Sequence, residues 1–136
     1  MKIAIVVAVV VVVVLAVVAL TFLRKSGYRG AVGFKNRHAS ELASIRLTGF
    51  SEPVDCRTLA HGEHSFNFMG RQDIPTEVQI VWRFVSDTAE KTARVSLTGV
   101  PKDAVDGELF FVLSSDDSWT VEYAPTLQLG KLQRGE

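Results

Sequence analysis

The 136-residue chain has a single thiol, Cys56. No intrachain disulfide can form, which excludes a disulfide-stapled extracellular scaffold. The first 40 residues contain no acidic side chain. From Ile3 to Leu23 there is no charge of either sign, and Thr21 is the one polar side chain. After Phe50 no segment carries a capped helical stripe; the best, Ser86 to Lys91, is too short for more than one turn. A Ser-His-Asp arrangement, a phosphate-binding glycine loop and a dinucleotide fingerprint are also missing. The chain is therefore read as non-catalytic and without a cofactor.

What is present first is the charge-free run itself. At about 1.5 Å of helix rise per residue it spans roughly 31 Å, close to the ~30 Å hydrocarbon core of a bilayer. A buried strand needs only about 4–8 residues. In lipid a lone segment satisfies its backbone polar groups only as a helix, which overrides valine's modest helix propensity. A cleaved signal peptide has a shorter apolar region, about 7–15 residues, ending in small side chains. Val17-Val18-Ala19 is a weak cleavage site of that kind, and cutting there would leave Leu20 to Leu23 as an apolar new terminus. Residues 1–25 are read as a retained single-pass transmembrane helix with flanking charges.

The zero net charge conceals a split. Residues 1–40 carry six basic side chains and no acidic one. Residues 41–136 carry all 15 acids against the nine remaining bases, a balance of −6. Five of the six early cations follow the apolar run: Arg24, Lys25, Arg29, Lys35 and Arg37. Basic residues beside a membrane helix favour the cytoplasmic side, which places the following domain there. The same five form a collar suited to an anionic leaflet, worth about 1 kcal/mol per residue near the surface. An acidic domain disfavours nucleic acid.

Residues 26–40 contain three glycines without sustained periodicity and read as a juxtamembrane linker. Tyr28 and Phe34 suit either the headgroup layer or packing on the domain or a partner helix. From Glu41 the period becomes two, the signature of strands. Ile45 and Leu47 share a face, as do Phe66 and Phe68, then Val78, Ile80, Trp82 and Phe84, then Ala93, Val95 and Leu97. Leu109 to Leu113 is apolar on both faces and should be central or covered. Trp119 to Tyr123 alternates again, and Val54 to Leu59 is a weaker seventh strand. Seven short strands over residues 41–125 predict an all-β domain, an antiparallel β-sandwich of immunoglobulin-like size that folds alone; a small β-barrel is the alternative. Residues 126–136 form a C-terminal tail. Ala43 to Phe50 is echoed at Ala93 to Val100, each ending in Leu-Thr-Gly and an apolar residue, as a duplicated strand–turn unit would be.

The densest set of metal-ligand types is Cys56, His61, Glu63 and His64. Their spacing matches no zinc motif, and Gly62 suits a turn feeding a strand. Asp116 and Asp117 lack a calcium-loop ladder and read as a hairpin loop. The expected function is a non-catalytic accessory or structural subunit of a membrane complex. Its helix would dock in the bilayer and its β-domain on integral membrane partners. The alternative is a membrane-tethered domain that binds a metal or small ligand.

Overall fold

The computed structural model describes residues 2–24 and 27–125, with side chains not described for 21–24. Helix α1 covers Lys2–Arg24. Eight strands follow: β1 Ala31–Asn36, β2 Leu42–Thr48, β3 Val54–Cys56, β4 His64–Phe68, β5 Glu77–Phe84, β6 Lys91–Ser96, β7 Glu108–Leu113 and β8 Trp119–Ala124. They form two four-stranded sheets, ordered β4-β1-β7-β8 and β3-β2-β5-β6.

Local alternation sets most of these elements. In β5, Val78, Ile80, Trp82 and Phe84 are all buried while Glu77 and Gln79 face solvent. In β2 both Leu42 and Ile45 are buried although three residues apart. A register shift between Leu42 and Ser44 makes this possible, because an inserted residue turns the next side chain to the other face. Strands β2 and β6, which lead into the two copies of the Leu-Thr-Gly pattern, flank β5 on either side, both antiparallel to it.

The structure departs from the sequence reading at the stretch expected to be a linker. Ala31–Asn36 is a strand, and it lies inside its sheet, between β4 and β7. Its pairing with β7 is parallel, Ala31 opposite Glu108 through Asn36 opposite Leu113, so the fold is not purely antiparallel. The described strands number eight, against seven expected. Tyr28 extends this start: it exchanges backbone hydrogen bonds with Gln72 at 2.7 and 3.0 Å. Tyr28 and Phe34 are both buried in the domain core rather than at a headgroup layer. The Tyr28 hydroxyl donates to the Ala31 carbonyl at 2.7 Å. Burial, reinforced by Tyr123, Asp106 and Glu108 nearby, pushes its pKa far above the ordinary phenol range and keeps it a donor.

One apolar cluster draws on both sheets, with Val32, Phe34, Leu109 and Phe111 from one and Ile45, Leu47, Ile80 and Trp82 from the other. A chain of ring contacts crosses it: Trp82 to Trp119 at 5.5 Å, Trp119 to Phe34 at 6.2 Å, Phe34 to Phe111 at 6.4 Å. Strand β7 is buried on both faces, as its sequence implies. Its second face forms a small separate cluster of Ala31, Phe110 and Val112, with Phe66 packed on it. Gly33 makes this possible: it sits opposite both Phe66 and Phe110. A Cβ there would strike the Ser65 carbonyl oxygen and lie 2.8 Å from Phe66 Cα.

Asn36 ends β1 with no exposed surface. Its Nδ2 donates to the carbonyls of Ser40 and Leu59, both at 2.9 Å, and its Oδ1 accepts from the His38 N–H at 2.9 Å. A buried amide so fully matched carries no desolvation penalty for lack of partners, and it ties β1 to the chain after β3.

Candidate functional site

The five collar cations have separate fates. Lys25 lies outside the described residues, and of Arg24 only the helical backbone is described. Arg29 is exposed, its N–H donating to the Val105 carbonyl at 3.0 Å. Lys35 and Arg37 both pair with Glu122 of β8, at 3.2 and 2.9 Å. Lys35 also lies over the Phe110 ring, 4.6 Å from its centroid. The five cations thus divide: Arg29 is exposed before β1, and Lys35 and Arg37 are matched by an acid of the neighbouring strands' sheet.

Partial burial raises the Glu122 pKa, but the Lys35 hydrogen bond and charge and the Arg37 charge outweigh it, so the net shift is downward. Glu122→Gln should therefore destabilise the domain above the ordinary glutamate range, near pH 4.3, and make no difference once pH falls through the depressed pKa. The carboxylate is 41% exposed, so screening limits the loss to no more than about 1 kcal/mol at neutral pH. Denaturant midpoints of both proteins between pH 2 and 8 check this. A gap that persists at the acid end would contradict it.

The candidate metal residues do not converge; among the described residues no group of three or more His, Cys, Asp or Glu could hold an ion. Cys56 Sγ is 3.8 Å from the Thr58 carbonyl and packs against the core. His61 Nδ1 meets the His38 carbonyl at 2.8 Å. Glu63 Oε2 accepts from the Ala60 N–H at 2.8 Å, closing a turn in which Gly62 has φ 82°. The His64 ring stands edge-on to Phe110 at 6.2 Å. Each is engaged locally.

The hairpin acids are likewise structural. Asp116 accepts from the Ser118 hydroxyl at 2.6 Å, and that bond, with the Ser118 N–H, lowers its pKa. Asp117, at φ 65°, pairs with His38 Nε2 at 2.9 Å and Lys91 at 3.3 Å. The Ser40 N–H donates to His38 Nδ1 at 3.0 Å, so the ring proton is assigned to Nε2 and points at Asp117.

Two surface clefts accompany these contacts. One, of about 380 Å³, lies at the start of the domain between Gly27, Tyr28, Asp73, Lys102, Asp103 and Val105. The other, of about 590 Å³, lies on the solvent face of β2, β3 and β5 beside Arg46, Asp55, Cys56 and Arg57. Outside the helix, Phe68, Val85 and Val105 are the large apolar side chains left in solvent among the described residues. Sequence patterning placed Phe68 on a face with Phe66 without distinguishing which of the two is covered. Val105 and the grouping around Gly27 carried no local signal.

No family model matches the chain, and no curated protein matches it. Among solved structures it is similar to a protein from Eubacterium rectale studied by NMR. The two are 13% identical over 70% of this chain and 87% of that chain, with a TM-score of 0.46.

Proposed function

We propose that this chain is a non-catalytic single-pass membrane protein, an accessory or structural subunit whose β-domain contacts the soluble parts of membrane partners. The observation that carries the reading is Lys2–Leu20, a 19-residue span that reaches a mean hydropathy of 3.7 over 18 residues, none of them buried in the rest of the chain. A soluble fold would bury so apolar a helix; here the bilayer is the medium that covers it. Because one apolar cluster draws on both sheets, we take them to close face to face as a sandwich of immunoglobulin-like size. The helix also lacks any intramembrane charge that would mark an ion or proton path.

On the excess of basic residues after the apolar run, we take the domain to lie on the cytoplasmic side. Orientation is decided during insertion, before the sheets form, so Lys35 and Arg37 act on topology even though Glu122 matches them later. The protein should resist carbonate extraction and retain its N-terminal residues. Protease added to spheroplasts should leave the β-domain intact while the envelope is sealed. Carbonate release, or a mature chain beginning near Leu20, would overturn the anchor; digestion from outside would overturn the orientation. Purification in mild detergent separates the subunit reading, which expects stoichiometric companions, from a tethered ligand-binding domain, which expects a lone chain.

A further inference from the structure

We infer that the end of the β-domain next to the anchor docks onto the lipid headgroup layer. Phe68 and Val105 would be its apolar contacts, and Arg29, Arg71 and Lys102 its phosphate-facing cations. The inference rests on the transmembrane reading of α1 and holds for either orientation.

The covalent link between helix and domain is short. Only Lys25 and Ser26 separate the helix end, Arg24, from Gly27. Three Cα-to-Cα steps of 3.80 Å span at most about 11 Å. Whatever touches Gly27 is thus held within reach of the headgroups, and so short a tether makes the local concentration of that surface very high. Contacts too weak to bind free lipid then suffice.

The fold gathers a distinct set of residues at that place. Gly27 and Tyr28 lie along the Arg71–Gln72 segment: Tyr28 and Gln72 form a backbone bridge, and a Cβ on Gly27 would meet Arg71 Cγ at 3.3 Å. Arg29 bonds the Val105 backbone, and Lys102 lines the same cleft as Gly27 and Val105. Phe68 pairs with Ala31, the first residue of β1. Phe68 is 64% exposed and Val105 61%. An aromatic and a branched aliphatic side chain left in solvent beside a membrane anchor are suited to the interfacial layer. Arg29, Arg71 and Lys102 are exposed as well. Asp73 and Asp103 line the cleft among them, and Asp106 follows Val105. The charge of this end is therefore mixed, and the apolar pair must carry most of the contact.

The test uses the full chain with Cys56→Ser, reconstituted in phosphatidylcholine vesicles containing phosphatidylglycerol and doxyl-labelled lipid. An environment-sensitive fluorophore is attached at Gly70→Cys, where a side chain meets open space, or at Ser115→Cys in the β7–β8 loop as the remote control. The Gly70 label should be quenched several-fold more than the Ser115 label. Adding Phe68→Ser and Val105→Ser should reduce that quenching to the control level. Both side chains are already more than half exposed, so the core should survive, and unchanged emission from buried Trp82 and Trp119 verifies it. Equal quenching at the two labels in carbonate-resistant protein overturns the docking and leaves the anchor standing. Strong quenching that ignores the double substitution also overturns it, since tethering alone would then explain proximity. Carbonate release removes the anchor reading and this inference together.

Discussion

A soluble version of the protein starting at Gly27 will fold cooperatively, and one starting at Glu41 will not. The shorter version would retain seven of the eight described strands, yet it would lose β1, which separates β4 from β7. Strand β4 would then have no sheet partner among the described strands, and β7 would lose its parallel neighbour. Val32 and Phe34 would leave the core, and burying two such side chains contributes about 3–6 kcal/mol. That is comparable with the whole stability of a small domain, about 5–15 kcal/mol, before the Asn36 hydrogen bonds are counted. Thermal melts followed by circular dichroism decide it. A sharp transition in the Glu41 version, with the strand content of the longer one, would mean that β1 is dispensable.

Trp82→Ala will destabilise the Gly27 version by about 3–5 kcal/mol, the usual range for truncating a large buried aromatic. Trp82 is 4% exposed and is the member of the aromatic chain that reaches from β5 to the opposite sheet. Its loss opens a cavity in the cluster that draws on both sheets and deprives Trp119 of one of its two edge-to-face partners, leaving Phe34. Trp82→Phe should behave very differently. Neither indole N–H finds an acceptor among the described residues, so each carries the desolvation cost of a buried donor. Phenylalanine removes that donor while keeping most of the ring, and the two effects should offset to within about 1 kcal/mol. Urea denaturation of the three proteins tests both statements. A loss with phenylalanine as large as with alanine would show that the unpaired N–H costs little and that the core needs the whole indole.

The features legible in the sequence were those set by near neighbours along the chain. Helix rise and side-chain hydropathy mark Ile3 to Leu23 without reference to anything else, and the two-residue period of β5 announces its buried face as plainly. Even the double-sided burial of β7 follows from Leu109 to Leu113 being apolar throughout. Strand β1 escaped because its pattern makes sense only against its neighbours. Gly33 breaks the alternation, yet the Ser65 carbonyl and Phe66 occupy the space its side chain would need. Asn36 is a polar residue at a buried position, acceptable only because Leu59, 23 residues away, supplies an acceptor. Lys35 looked like part of a membrane collar until Glu122, 87 residues on, was brought beside it. A side chain's period depends on local backbone geometry and can be read one residue after another. Its partner depends on which surfaces meet when distant strands pair, and only the tertiary structure decides that.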